Sequence, residues 1–304
     1  MSDKGQTQAG SRSTHSAGDN PMLGIAFMAL GVSVVPMMDG IAKGLADDYA
    51  VLQIVWARFA FHLLWLLPFL LWQGHGRSVL APRLPGLQVL RGVFLLAATV
   101  CYFSAIALMP IADALALLFI SPMVVTLLAP VVLGERVGIW RWSAVVAGFI
   151  GALIVVRPGF GVFQWASVLA LGAGVLHGCY LLTTRRLAGS TNPMITLFYT
   201  GAIGLLGMSF AMPVVWIPPT PVDWGWMIVM GALAAGGHFL IIKGFDRAPA
   251  PVVAPVAYAE IVAATAVGWF AFGDFPAAWT WVGIVVIVTS GLVISIREHR
   301  ARHR

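Results

Sequence analysis

The amino-acid sequence predicts an all-α integral membrane protein, with ten transmembrane helices arranged as two inverted five-helix repeats. Three observations carry this expectation. Of 304 residues, 60% are apolar and only 10% are Asp, Glu, Lys or Arg, against roughly 25% charged residues in a soluble domain. The apolar residues fall in runs of about 20, the length that crosses a hydrocarbon core. The chain also matches itself when it is slid by 139 positions, and periodicity of this kind indicates repeated architecture.

The elements follow in order. Residues 1–20 are rich in Ser, Gly, Gln and Thr and lack the basic-then-apolar order of a signal peptide. They are expected as a disordered cytoplasmic tail. Spans are expected at 22–42, 50–72, 87–108, 111–133 and 140–156, forming a first repeat over 21–158. Further spans at 163–184, 193–216, 224–245, 249–272 and 278–296 form a second repeat over 159–297, followed by a basic cytoplasmic tail over 298–304. Turn formers mark the breaks, among them Gly74-His75-Gly76, Met109-Pro110, Gly134-Glu135, Arg157-Pro158-Gly159, Asn192-Pro193, Ile217-Pro218-Pro219, Ala248-Pro249 and Gly273-Asp274.

The 139-residue shift lays Gly92 on Gly231, Pro110 on Pro249, Gly134-Glu135 on Gly273-Asp274 and Trp142 on Trp281. Five spans per half is an odd number, so the second half must enter the membrane in the opposite sense to the first. The charges exchange accordingly: Arg136 and Arg141 match Phe275 and Thr280, while Leu108 matches Arg247. Basic residues near span ends are retained in the cytoplasm. Placing both termini inside leaves only Lys43 and Arg157 on the outer side.

Composition excludes several classes. The net charge of +6 is spread over short connections and the tail, without the interleaved basic and aromatic strip of a nucleic-acid binder. Cys101 and Cys179 lie in apolar runs without Cys-x-x-Cys spacing, so neither a metal site nor a disulfide framework is expected. His-Glu-x-x-His, Gly-x-Ser-x-Gly and phosphate-loop motifs are absent from the sequence, which argues against an enzyme and against an ATP-driven pump. No cofactor is expected.

The run Ala112–Gly159, with Ser121-Pro122, Leu133-Gly134-Glu135, Arg141-Trp142 and Gly148-x-x-Gly151, resembles the first repeat of EamA-domain members of the drug/metabolite transporter superfamily. The second repeat is similar at Pro249, Gly273-Asp274 and Gly291, with Asp274 standing where a Glu is expected. Among the members, the chain looks most like the YddG-type amino-acid exporters, with S-adenosylmethionine carriers next. The resemblance implies a basket of ten helices in which spans 1, 3, 4, 6, 8 and 9 surround a central cavity and spans 5 and 10 lie outside it.

Intramembrane polar groups are costly, by roughly 2.5–3.5 kcal/mol for a charge on insertion scales, so each one marks a candidate site. Glu260, central in span 9, is read either as the ligand for a substrate ammonium or coupling proton, or as a buried carboxyl held by a neighbouring helix. Tyr258 and Tyr102 offer an aromatic body with a hydroxyl. His177 and Tyr180, three apart in span 6, and His238, which matches Thr99, are read as substrate contacts or as hydrogen-bonded packing residues. Pro36 interrupts span 1 and frees a backbone carbonyl beside Met37 and Asp39, which suits a hinge and cavity wall or a simple kink. Arg58 and His62 share one face of span 2, and Asp39 and Lys43 share one face of span 1, so an Asp39–Arg58 contact is within reach. Arg58, His62, Glu135 and Asp274 are read as structural or gating residues. Gly40-x-x-x-Gly44 and Gly174-x-x-x-Gly178 are expected as packing seams.

What the residues and the resemblance imply together is a secondary transporter of small amphipathic metabolites in a bacterial inner membrane. A broad amino-acid exporter working by alternating access is the leading expectation, and an S-adenosylmethionine carrier is the alternative. A non-transporting receptor or an intramembrane enzyme is the rival of a different class. The expected partners are a small-molecule substrate and the lipid bilayer, with the chain acting as a monomer and without nucleic acid.

Overall fold

The computed structural model describes residues 20–72, 84–134, 137–156, 165–187, 192–248 and 253–302. The N-terminal tail through residue 19, Glu135, Gly74-His75-Gly76, Arg157-Pro158-Gly159 and Pro249 lie outside the described residues.

Helix α1 (Pro21–Leu45) starts where the Asn20 side chain accepts from the Leu23 N–H at 3.1 Å, with Pro21 at a position that needs no N–H donor. It is followed by α2 (Val51–Trp72), α3 (Pro85–Ile106), α4 (Ile111–Leu118) and α5 (Ser121–Leu133). Next come α6 (Ile139–Val156), α7 (Trp165–Leu187), α8 (Pro193–Ser209) and the short α9 (Met212–Val215). The chain ends with α10 (Pro221–Arg247), a 3-10 turn over Ala254–Ala259, α11 (Glu260–Phe272) and α12 (Ala278–Arg302). Among the described residues, seven helical segments are long and apolar enough to cross a bilayer, counting Ile111–Leu133 as one. Three shorter apolar helices are Met194–Ser209, Glu260–Phe272 and Ala278–Val293.

Two elements differ from the expected continuous spans. The run 111–133 breaks at Phe119-Ile120, because Pro122 has no N–H to continue the ladder and its ring crowds the preceding turn. The approach to Glu260 is wound as a tight 3-10 turn containing Pro255 before the α-helix begins. At the C-terminus α12 continues through Arg302, so the basic segment extends the last helix as far as that residue.

Gly134 and Gly273, paired by the 139-residue shift, terminate α5 and α11 with φ of 68° and 70°. A side chain at either position would meet the left-handed penalty, which explains glycine at both.

The helices pack through small residues. Helix α1 lies along α10, where a Cβ added at Gly31 would stand 3.0 Å from the Ile241 nitrogen and one at Gly24 would stand 3.1 Å from the Gly244 oxygen. Helix α3 packs on α7 and α8, α2 on α8 and α10, and α6 on α12. Gly174 and Gly178 form the expected seam, against the carbonyls of Leu117 and Ser121. Gly40 abuts Val267 of α11, whereas a Cβ at Gly44 would meet nothing within 4 Å, so Gly44 contributes no seam.

Outward-facing Val131 (85% exposed), Phe210 (85%), Val214 (87%) and Phe270 (82%) present apolar surface that water would penalise and acyl chains cover. The irregular segment before α10 is kept from orphaning its backbone by the fully buried Gln53. Its amide donates to the Ile217 oxygen at 2.7 Å and accepts from the Ile217 N–H at 2.8 Å.

Candidate functional site

A cavity of about 200 Å³ lies between the helices. Helix α1 supplies Val35, Met38 and Asp39, and α2 supplies Arg58. Helix α3 contributes Thr99 and Tyr102, and the α4 end contributes Leu115, Leu118 and Phe119. His177 of α7, His238 of α10 and Glu260 of α11 complete the polar wall. Spans 1, 3, 4, 6, 8 and 9 all reach this cavity, and span 2 adds Arg58, which the resemblance had placed away from it.

Asp39 is 2% exposed. Its Oδ2 accepts from the Tyr102 hydroxyl at 3.3 Å, and its Oδ1 has no hydrogen-bond partner among the described residues. Arg58 makes no ion pair with Asp39, although each feels the other's charge. Its Nε donates to the Met38 sulfur at 3.4 Å and its Nη1 to the Thr99 hydroxyl at 3.3 Å, with the guanidinium 4.9 Å from the Phe59 ring centroid. Glu260 stands in the first turn of α11, where the helix dipole favours a negative group. It is half-buried, and its carboxylate makes no hydrogen bond or ion pair with the described residues while facing the Asp39 charge.

The histidines divide between wall and backing. His177 lies 3.4 Å from the Ser121 hydroxyl and stacks on Tyr180 with centroids 5.4 Å apart. His238 Nδ1 lies 2.7 Å from the Ala234 oxygen one turn back, and its ring meets His62 edge-on at 6.1 Å. His62 is buried behind Arg58 rather than on the cavity wall.

Three sequence candidates sit elsewhere. Met37 is 53% exposed and faces an outer groove, and it is Met38 that lines the cavity. Tyr258 packs edge-on against Phe119 at 5.2 Å, with its hydroxyl against Gly291 of α12. Tyr180 accepts from Arg91 Nη2 at 2.6 Å. Arg91, buried in α3, also donates to Thr184 at 2.7 Å, to the Thr196 carbonyl at 3.2 Å and to the Thr200 hydroxyl. Arg91 stands six residues past Pro85, inside the helix rather than in a connection. Its signal was the apolar run that continues on both sides of it.

Pro36 is buried within an unbroken α1, one turn before Asp39. Asp274 lies at the end of the bundle that carries the α1–α2 and α3–α4 turns. Lys43 donates to its Oδ2 at 2.7 Å and to the Met109 carbonyl at 2.9 Å, joining α1, the α3–α4 turn and the α11–α12 connection. At the same end Tyr49 donates to Asp223 at 2.7 Å, and that carboxylate raises the phenol's pKa above its ordinary value.

A second hollow, of about 690 Å³, lies between α1, α10 and α11, bordered by Met37, Trp226 and Phe270. It is larger but almost wholly apolar, and these exposed side chains lie on the surface that acyl chains would cover. The charged side chains Asp39, Arg58 and Glu260 line the smaller cavity.

A model described as the EamA-like transporter family matches residues 22–157 and again residues 164–296. The chain is 29% identical over 248 residues to a riboflavin transporter of Rhizobium johnstonii, covering 81% of this chain and 82% of that one. It is 25% identical to an S-adenosylmethionine uptake transporter of Rickettsia prowazekii, covering 91% and 94%. It is 28% identical to the pseudopaline exporter CntI of Pseudomonas aeruginosa, covering 90% and 95%. A solved crystal structure with 19% identity superposes at a TM-score of 0.60 over 90% of this chain and 96% of that one, a likeness of fold.

Proposed function

Because the chain belongs to the EamA-like transporter family, we propose that it is a secondary transporter of small zwitterionic metabolites, with amino acids as its substrates, working by alternating access in a bacterial inner membrane with both termini cytoplasmic. The observation that carries this reading is the 200 Å³ cavity, in which Asp39, Arg58 and Glu260 face a common space among apolar helices. Charged groups of both signs there suit a molecule bearing both an ammonium and a carboxylate.

The inverted-repeat arrangement is supported by the way packing partners exchange. Helix α1 against α10 corresponds to α7 against α3, and α2 against α10 corresponds to α8 against α3. The paired glycines follow the same rule: Gly92 of α3 abuts Ile203 of α8, and Gly231 of α10 abuts Phe61 of α2. Such pairing suits a rocking of one half on the other.

The relatives' named substrates differ and include both uptake and export. Drug-sized ligands occupy pockets of roughly 300–1,000 Å³, so a 200 Å³ cavity favours an amino acid over riboflavin. S-adenosylmethionine is the second reading, favoured by Rickettsia relatives that match more than nine-tenths of the chain. Exchange of an amino-acid panel by the purified chain in proteoliposomes, with and without a pH gradient and without ATP, tests the proposal. Strict ATP dependence, or exchange of none of the panel, overturns it.

A further inference from the structure

The cavity places two carboxylates and one guanidinium around a space too small for a drug-sized ligand. Asp39 comes from α1 and Glu260 from α11, which pack on one another, while Arg58 enters from α2. Asp39 is 2% exposed with one oxygen lacking any hydrogen-bond partner among the described residues. A buried carboxylate oxygen without a donor is an unsatisfied hydrogen-bond acceptor, and leaving such a group unpaired costs about 1–3 kcal/mol or more. Glu260 likewise offers its carboxylate to the cavity with no hydrogen-bond partner among the described residues, and it feels the Asp39 charge. Two like charges facing one cavity are relieved by cationic groups placed between them. Arg58 is the opposite case. Its partners are the neutral Met38 sulfur and Thr99 hydroxyl, so no ion pair among the described residues matches its positive charge.

Cationic groups entering the cavity favour the ionised form of both carboxylates; with Arg58 charged the fixed charge is then −1, and a neutral amino acid would leave one carboxylate without a counter-charge. We propose that this cavity selects amino-acid-sized molecules carrying two cationic groups and one carboxylate, with Asp39 and Glu260 facing the cations and Arg58 the carboxylate. The proposal rests on the transporter reading and narrows its substrate class to basic amino acids and their close analogues. His177 and His238 face the same space, and Tyr102 reaches it through its bond to Asp39. None of these adds a fixed negative charge near neutral pH, so the sum is set by the three charged groups.

The test is counterflow in proteoliposomes of the full chain, with radiolabelled lysine, leucine, glutamate and S-adenosylmethionine presented singly and in competition. Lysine is expected to exchange at least tenfold faster than leucine or glutamate, and faster than the bulkier S-adenosylmethionine. Asp39→Asn and Glu260→Gln are each expected to lower lysine exchange at least tenfold and so to abolish the preference for lysine over leucine. Asp39→Glu, which keeps the charge, is expected to retain the preference, and this separates loss of charge from loss of fold. Equal exchange of leucine and lysine, or a lysine preference that survives both neutral substitutions, overturns the proposal and leaves the transporter reading intact. Faster exchange of S-adenosylmethionine than lysine overturns the size limit. Exchange of none of the four by monodisperse protein removes the transporter reading as well.

Discussion

Replacing Asp274 with Asn removes the carboxylate that Lys43 contacts at 2.7 Å, while Lys43 keeps its bond to the Met109 carbonyl at 2.9 Å. The magnitude follows from exposure. Hydrogen bonds to charged groups are worth roughly 1.5–3 kcal/mol, whereas solvent-exposed ion pairs contribute about 0–1 kcal/mol. The side chains here are 14% and 32% exposed, between those limits, so the link is worth about 1–2 kcal/mol. If it holds this end of the bundle shut, its loss raises the open population by a factor of about 5–30. The assay is maleimide labelling of Leu118→Cys, on the cavity wall, in a background with Cys101→Ala and Cys179→Ala. Asp274→Asn is expected to speed labelling at least fivefold. Lys43→Met is expected to do so too, and combining the two should add nothing beyond Lys43→Met alone. A labelling rate unchanged in Asp274→Asn, or additive effects in the double variant, would refute the idea that this ion pair closes the bundle.

The other predictions concern chemistry, topology and stability. Glu260→Gln keeps shape and removes charge, so transport is expected to fall about tenfold or more, equivalent to about 1.4 kcal/mol on the limiting step. Parental transport across a range of pH by well-folded protein would reassign Glu260 to the scaffold. Cysteine at Pro219 is expected to react with impermeant reagent from the periplasm and cysteine at Arg186 is not; reversed labelling would invert the topology. Gln53→Leu strips both partners from the Ile217 backbone and is expected to destabilise the fold by about 1–3 kcal/mol. An unchanged unfolding midpoint in detergent would show that water satisfies this segment.

Much of this protein was legible in the sequence because the signals are local. Apolar runs give helices wherever the backbone must satisfy itself. Asn20 and Asn192 sit where helix starts need a side-chain acceptor. Gly134 and Gly273 sit where helices stop in a left-handed turn. The scarcity of charge inside the spans likewise singled out Glu260 at the centre of span 9, and Asp39 and Arg58 within spans 1 and 2.

Tertiary structure alone decided how those residues meet. Whether Met37 or Met38 lines the cavity depends on the rotation of α1 against α10, and a step of one residue turns a helix by about 100°. Lys43 shares a face with Asp39 in the sequence, yet it pairs with Asp274, 231 residues away. The partners of Arg91 lie on α7 and α8, 89 to 109 residues distant. Tyr258 turned to Gly291 because that glycine leaves room for a ring, and no spacing along one helix encodes such a vacancy in another. Helix periodicity specifies which face is apolar, whereas the direction in which a near-uniformly apolar membrane helix turns is set by which small residues let its neighbours approach.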